Sequence, residues 1–148
     1  MQLRLMNIRD YDNVLSLWKS IEGFYIREID DSLSGMQKFL ERNPSTNVVA
    51  LQNDRIIGSI LCGYDGRCAY LYHVCVHKDF RHQGIGSAMV NFVISALHKI
   101  DATHINLVAF KTNELGNLFW KKLEWEFKGT LNLYEYILDS KNIRRLNT

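Results

Sequence analysis

The stretch Val76–Val90, VHKDFRHQGIGSAMV, decides how this sequence folds. Two glycines, Gly84 and Gly86, are separated by one residue, Arg81 precedes them, and an apolar run with helical spacing follows. A helix that begins at Gly84 presents unpaired backbone N–H groups and a partial positive charge. Glycine lets a bulky anion approach these groups, because it has no Cβ. The stretch therefore predicts a turn and a helix N-terminus that bind phosphate or pyrophosphate.

The turn matches neither of the two common phosphate-binding motifs. The P-loop pattern GxxxxGK[ST] is absent from the chain, and the third glycine of the dinucleotide pattern GxGxxG is replaced by Met89. The preceding strands also predict an antiparallel meander and not a βαβ unit. Residues 81–86, RHQGIG, fit the pattern [RQ]xxGx[GA].

The rest of the chain predicts one domain, residues 1–148, of mixed α+β class with a mostly antiparallel sheet. Strands are predicted at residues 2–8, 47–52, 55–64, 67–76, 104–110, 125–129 and 131–138. Helices are predicted after Asp10, from Ser32 or Ser34 to near Asn43, from Gly84 to Ile100, and over 113–123 with Asn113 as N-cap. Residues 104–110 follow a helix and are expected to lie parallel to 70–76. Residues 22–31 are expected to be irregular, and 140–148 to form a solvated tail.

Composition excludes several classes of protein. The chain has 148 residues, 47% hydrophobic, and a net charge of +2, and no lysine-arginine cluster precedes the tail, so nucleic acid is not an expected partner. No apolar run approaches the ~20 residues that cross a bilayer, so no membrane is expected. Three cysteines without CxxC, and no secretory signal, predict a reduced, cytoplasmic protein.

Residues 76–86 resemble the acetyl-CoA motif of the GNAT superfamily, the GCN5-related N-acetyltransferases. That motif is a strand ending in V-x-x-x-x-[RQ]-x-x-G-x-[GA], followed by a helix, and the order of the predicted elements is also similar over nearly the whole chain. A second signature, N-x-x-x-x-x-[LF]-[YW]-x-x-x-G-[FW], corresponds to residues 113–125 with departures. The resemblance implies direct transfer of an acetyl group from acetyl-CoA to a primary amine, without a metal. It also implies helices on both faces of the sheet and a parallel strand pair splayed around the CoA site.

The resemblance also implies which residues bind the cosubstrate. Three strand residues would pair their backbone with the amides of pantetheine: Val74, Cys75 and Val76. The turn and first helical residues would hold the pyrophosphate through backbone N–H groups: Arg81, His82, Gln83, Gly84, Ile85, Gly86 and Ser87. Four residues of the later helix would flank the thiol and the pantetheine arm: Asn113, Asn117, Phe119 and Trp120.

For catalysis, the backbone N–H of Val76 would polarise the acetyl carbonyl. A general base is sought on the same strand, where Tyr70, Tyr72 and His73 are the candidates. Strand alternation separates His73 from the two tyrosines, but a bulge would shift that alternation.

Two positions depart from the family pattern. Trp120 replaces the tyrosine that protonates the thiolate in many members, so water or another tyrosine such as Tyr134 would supply that proton. Glu124 replaces a glycine, and it would be strained if the backbone there needs positive φ.

Other interpretations of single residues remain open. The alternating His73, Cys75 and His77 have the ligand types of a zinc site, although burial in the core is favoured over metal binding. Four acidic residues on the expected acceptor side could bind a cationic amine or belong to a solvated loop, and the loop is slightly favoured: Glu22, Glu28, Asp30 and Asp31.

The function also has alternatives. The same turn would serve an enzyme with another acyl donor or an O-linked acceptor. The missing tyrosine at Trp120 favours a CoA-binding sensor or interaction module without activity, and a partner-binding domain without CoA affinity is a third alternative. The acceptor is expected to be a small-molecule or peptide amine, and the resemblance allows a homodimer.

Overall fold

The computed structural model describes residues 1–147 and has a mixed α+β fold. Its elements are β1 Gln2–Leu5, α1 Tyr11–Lys19, β2 Tyr25–Arg27, α2 Leu33–Arg42, β3 Val48–Gln52, β4 Arg55–Tyr64, β5 Ala69–Val76, α3 Ile85–Lys99, β6 Ile105–Asn106, α4 Glu114–Lys122 and β7 Arg144–Leu146. The main sheet has the order β1-β3-β4-β5-β6, and β2 pairs with β7 in a second sheet. In the described residues no helix is both long and apolar enough to cross a bilayer.

The predicted meander β3–β4–β5 is confirmed, and its turns have clear local causes. Asn53 and Asp54 connect β3 to β4 with φ of 50° and 61°, the left-handed conformation that tight hairpin turns require. In the next turn the Asp65 carboxylate accepts hydrogen bonds from the backbone N–H of Arg67 at 2.7 Å and of Cys68 at 2.8 Å. Both turns are therefore fixed by short-range interactions.

Helices cover both faces of the main sheet, because alternate residues of the central strands are apolar on opposite sides. Val48 packs on the face covered by α3, where Met89 is fully buried. Val49 packs on the other face, which α1 and α2 cover with the buried side chains of Trp18 and Met36. The predicted arrangement of helices on both faces is confirmed.

The predicted parallel pair is confirmed as β5–β6, but β6 is shorter than expected. Only Ala69 and Tyr70 pair with this strand, opposite Ile105 and Asn106. Residues 107–110 are not in a strand. Within residues 1–147, one side of β5 therefore has no neighbouring strand beyond Tyr70.

The two strands predicted at 125–129 and 131–138 are absent, which corrects the sequence analysis. The side chains of residues 126–138 point into solvent, as Phe127 at 82%, Tyr134 at 88% and Leu138 at 94% exposure show. Alternation of apolar residues stabilises a strand only where a partner strand and a buried face exist. With only two residues, β6 provides neither a long enough partner strand nor a buried face for this segment.

The N-terminal segment 22–31 and the C-terminal tail also differ from expectation, because they pair with each other. Antiparallel β2 and β7 align Tyr25 with Leu146 and Arg27 with Arg144. The amide of Asn142 adds hydrogen bonds to the backbone between β2 and α2. The tail is thus attached to the fold up to residue 147, and Thr148 lies outside the described residues.

Glu124 has a φ of 63° directly after α4, which is the strained conformation that the sequence analysis considered. Glu124→Gly is expected to raise the free energy of unfolding by about 0.5–1 kcal/mol, because glycine adopts this conformation without a Cβ clash. Urea unfolding measures the difference. Glu124→Ala is the matched control and should give no gain, since alanine keeps the Cβ. Equal gains for both variants would contradict backbone strain as the cause.

Candidate active site

A bulge in β5 shapes the middle of the strand. Leu61 pairs with Tyr72 and Ser59 pairs with Cys75, so two residue steps of β4 lie opposite three of β5. The extra residue is accommodated at His73, whose φ is 51°. The bulge shifts the alternation of side chains, as the sequence analysis had considered.

The bulge places Tyr70, Tyr72 and His73 on one face of the sheet. The Tyr70 and Tyr72 rings lie 4.9 Å apart, and Tyr72 contacts Phe39 of α2. The His73 ring lies on the same side, 5.8 Å from the Tyr25 ring of β2. All three predicted base candidates therefore border the side of the sheet covered by α1, α2 and β2.

His73 lies in an aromatic enclosure. Its ring centroid is 4.5 Å from Trp18 and 4.8 Å from Phe24. Its Nε2 lies 2.9 Å from Oδ1 of Asp31, and the side chains of His73 and Asp31 are 9% and 6% exposed. This contact joins the bulge of β5 to the segment between β2 and α2.

The two tyrosines have properties different from those of a base. Burial raises the pKa of the Tyr70 phenol, and the nearby Tyr72 phenol raises it further. Burial also raises the pKa of Tyr72, with additional effects of Tyr25 and Asp30. Both phenols therefore keep their protons near neutral pH and can donate hydrogen bonds there.

The end of β5 directs the backbone groups of Val76 towards the side that β6 leaves open. The N–H of His77 donates to the carbonyl of Ile57 at 2.7 Å, so the next pair inward, Gly58 and Val76, is a non-hydrogen-bonded pair of the ladder. The N–H and C=O of Val76 consequently point away from β4. Nε of Arg81 donates to this carbonyl at 3.1 Å.

The turn after β5 has the geometry of an anion cradle. His82 and Gly84 have φ of 61° and 79°, and left-handed residues in a turn direct successive N–H groups to one side. Gly84 is the N-cap of the 15-residue α3, and no side chain of the described residues caps this end of the helix. A Cβ at Gly84 would meet no atom within 4 Å. These features fit a pyrophosphate bound by backbone N–H groups.

The second glycine of the turn has a different structural role. A Cβ at Gly86 would lie 3.1 Å from two ring carbons of Phe119. Gly86 therefore allows α4 to pack closely on the first turn of α3. Ile85, between the two glycines, is buried in the core below α3, and Ser87 is half-buried.

Asn113 and Asn117 shape the entry to α4. Oδ1 of Asn113 accepts from the N–H of Gly116 at 3.0 Å, which confirms the predicted N-cap. Nδ2 of Asn117 donates to the carbonyls of Phe110 and Asn113 at 2.9 and 2.8 Å. Both amides therefore hold the loop that runs from β6 to α4 beside the open side of β5.

Trp120 lies in an aromatic cluster with Phe119 and Trp125, with ring centroids 4.9 and 4.6 Å away at inclined angles. Its indole N–H can donate a hydrogen bond but cannot protonate the CoA thiolate. Tyr134, the substitute considered from the sequence, is 88% exposed and lies outside any helix or strand.

Trp120→Tyr is expected to keep or raise the rate of acetyl transfer, because a phenol at this position would supply an acid that the chain lacks there. The rate of acetyl transfer is measured as the rate of CoA release. Trp120→Phe is the control, since it removes similar volume without adding a hydroxyl. A collapse of activity in both variants would show that the indole itself is required.

The residues considered for zinc are each engaged by other partners, as His73 is by Asp31. The Cys75 thiol is buried 3.4 Å from the Ser59 hydroxyl, and burial raises its pKa to about 11. His77 is occupied by Arg55, 3.1 Å from its Nε2, and by the N–H of Asp79 at its Nδ1. Within residues 1–147 no group of three His, Cys, Asp or Glu side chains could hold a metal ion.

Three of the four acidic residues between α1 and α2 are exposed, as a solvated loop requires: Glu22, Glu28 and Asp30. Glu28 forms an ion pair with Arg145 at 3.2 Å, and the Asp30 carboxylate accepts from Asn142 at 2.9 Å. Asp31 is buried against His73. Three of the four carboxylates therefore fasten internal segments together.

Sequence reasoning missed the aromatic enclosure and one cation beside it. The Arg144 guanidinium lies 5.3 Å from the Tyr25 ring and 5.6 Å from the Phe110 ring. The partners of these contacts are separated by many residues along the chain, so no local pattern could have indicated them.

The model of the Acetyltransferase (GNAT) family matches residues 11–125, so the chain belongs to this family and is an acyltransferase. An acetyltransferase of Pectobacterium atrosepticum is 27% identical over 141 residues, which cover 95% of this chain and 99% of that protein.

Solved structures share the fold. The PaiA N-acetyltransferase of Thermoplasma acidophilum, in complex with coenzyme A, matches with a TM-score of 0.72 at 17% identity over 82% of this chain and 87% of its own. An acetyltransferase of Clostridium acetobutylicum, solved with acetyl-CoA, matches with a TM-score of 0.69 at 18% identity over 90% of this chain and 95% of its own.

Proposed function

We propose that the protein transfers the acetyl group of acetyl-CoA directly to a primary amine of a small molecule or peptide. One observation carries the proposal: β5, open on one side beyond Tyr70, leads directly into the uncapped, left-handed turn before α3. An open strand edge suits the amides of pantetheine, and the turn suits pyrophosphate. The two features follow each other in the order in which these groups follow in CoA.

In this proposal the backbone of Val74 and Val76 binds pantetheine as an added strand, since residues two apart on a strand face the same edge. The N–H groups of the turn, residues 81–87, bind the pyrophosphate. The thiol arm lies beside α4, near Asn117, Phe119 and Trp120. The backbone of Cys75 pairs with Ser59 of β4, so we leave Cys75 out of the binding set.

The bound thioester supplies an activated acetyl group. The amine nitrogen forms a bond to the acetyl carbon, and the carbon–sulfur bond breaks. The N–H of Val76 donates to the carbonyl oxygen while that oxygen carries negative charge. The amine loses one proton to a base of the protein, and the CoA thiolate takes one proton from water, since a simple thiol has a pKa near ~8.5.

We assign the base to His73. The raised pKa values of Tyr70 and Tyr72 keep those phenols protonated, whereas a neutral imidazole has one nitrogen free to accept a proton. The tyrosines are proposed to line the acceptor site as hydrogen-bond donors.

The test is incubation of the protein with acetyl-CoA and a panel of amines, namely polyamines, amino acids, aminoglycosides and short peptides, followed by product mass analysis. The proposal expects one acetyl group added to an amine nitrogen. An O-acetyl product would show that the acceptor group is a hydroxyl and not an amine. CoA binding without turnover on any amine would favour the function of a CoA-binding sensor. The presence of Trp120 in place of the family's tyrosine also supports that alternative.

A further inference from the structure

Asp31 is held rigidly between β2 and α2. Its Oδ2 accepts a hydrogen bond from the backbone N–H of Arg27 at 2.7 Å, and its Oδ1 lies 2.9 Å from Nε2 of His73. Its backbone carbonyl accepts from the phenol of Tyr11 at 2.7 Å. Both carboxylate oxygens and the backbone of this buried residue are thus engaged by α1, β2 and β5.

We propose that Asp31 is a positioning residue that sets the tautomer of His73. A carboxylate has no proton to donate, so its contact with Nε2 requires that Nε2 carries the proton. In the neutral ring the lone pair then lies on Nδ1. The catalytic meaning of this assignment rests on the proposed acetyl transfer, whereas the tautomer itself does not.

Nδ1 of His73 is not fully enclosed, and the ring is restricted to one orientation. Within residues 1–147 this nitrogen has no hydrogen-bond partner. Every fully enclosed side-chain nitrogen or oxygen in these residues does have a partner. Nδ1 therefore keeps some exposed surface. The rings of Trp18 and Phe24, at 4.5 and 4.8 Å, hinder the imidazole from turning over.

This arrangement defines the path of one proton. The acceptor amine gives its proton to Nδ1, and the resulting imidazolium keeps its Nε2–H bonded to the Asp31 carboxylate. A charge-assisted hydrogen bond of this kind stabilises the imidazolium. Asp31 takes no proton itself.

Asp31→Asn keeps nearly the same side-chain volume but replaces the acceptor that faces Nε2 of His73 with a donor. The Arg27 N–H needs an oxygen acceptor at 2.7 Å, so the introduced amide turns its NH₂ group towards His73. Nε2 must then accept, and the ring proton moves to Nδ1. The site keeps its shape but loses the nitrogen that accepts the proton.

The test measures the ¹⁵N shifts of the His73 ring nitrogens, at a pH where the ring is neutral, together with steady-state kinetics. We expect the Nε2–H tautomer in the wild-type protein and the Nδ1–H tautomer in Asp31→Asn. We also expect that variant to lose about 10²-fold or more in kcat, with the KM for acetyl-CoA nearly unchanged. Asp139→Asn is the control, because the exposed Asp139 carboxylate accepts a hydrogen bond from the backbone N–H of Lys141 and does not contact His73. The His73 tautomer and the kcat of this variant should equal those of the wild type.

Several outcomes would overturn the proposal. The proposed role of Asp31 is excluded if the wild-type ring of His73 is the Nδ1–H tautomer. It is also excluded if the ring is an imidazolium at every pH where the protein is folded. Both results are obtained on the wild type, so they count even if Asp31→Asn does not fold. The expected tautomers with an unchanged kcat in Asp31→Asn would exclude a catalytic role for the contact. A wild-type protein that acetylates no amine would instead remove the proposed function, and the ring shifts would still decide what Asp31 does to His73.

Discussion

His73→Gln is expected to lower kcat for amine acetylation by about 10²- to 10⁴-fold, the usual contribution of a general base. Glutamine can still donate to the Asp31 carboxylate, 2.9 Å from Nε2 in the wild type, but it has no group that accepts a proton near neutral pH. In the proposed binding mode acetyl-CoA contacts the backbone of β5 and the turn, so its affinity should change less than about threefold.

Initial rates of CoA release, measured over acceptor and acetyl-CoA concentrations, separate these effects. His98→Gln is the control, because His98 lies exposed in the last turn of α3. Thermal unfolding of each variant establishes that the fold is retained. A kcat of His73→Gln close to that of the wild type would refute His73 as the base.

Gly84→Val is expected to weaken acetyl-CoA binding by about 10- to 100-fold, which corresponds to the loss of one charge-assisted hydrogen bond. The φ of 79° at Gly84 is strained for a β-branched residue, so the turn relaxes and its N–H groups no longer converge. The new side chain also enters the open space beside the turn.

Gly66→Val is the matched control for this effect. Gly66 also has positive φ, 92°, and open space around its Cβ position, but it lies in the turn between β4 and β5. Both variants should lose stability to a similar degree, and only Gly84→Val should lose affinity. Equal affinities of the two variants, measured by calorimetry, would disprove the cradle.

The sequence predicted the elements whose causes are local. The β3–β4 turn follows from Asn53 and Asp54, the start of α4 from the Asn113 cap, and the turn before α3 from Gly84. In each case the stabilising contacts lie within a few residues, so the pattern of residue types contains them. The bulge in β5 was considered only because of the family resemblance.

The rest depended on contacts between distant residues. The contact of Asp31 with His73 spans 42 positions, and β7 finds its partner β2 from the opposite end of the chain. Residues 131–138 show the converse case, because their alternation is typical of a strand, but β6, the edge strand nearest to them along the chain, has only two residues. Local patterns therefore located the turn that we propose binds CoA, but not the surroundings of His73.

The most direct test of the account is calorimetric titration of the wild-type protein with acetyl-CoA, and separately with desulfo-CoA and ADP. The account predicts micromolar binding of acetyl-CoA and desulfo-CoA, and weaker binding of ADP, because ADP contacts the turn but not the open edge of β5. An absence of binding by all three ligands would contradict the assignment of the turn and the strand edge to CoA, and with it the proposed acetyl transfer.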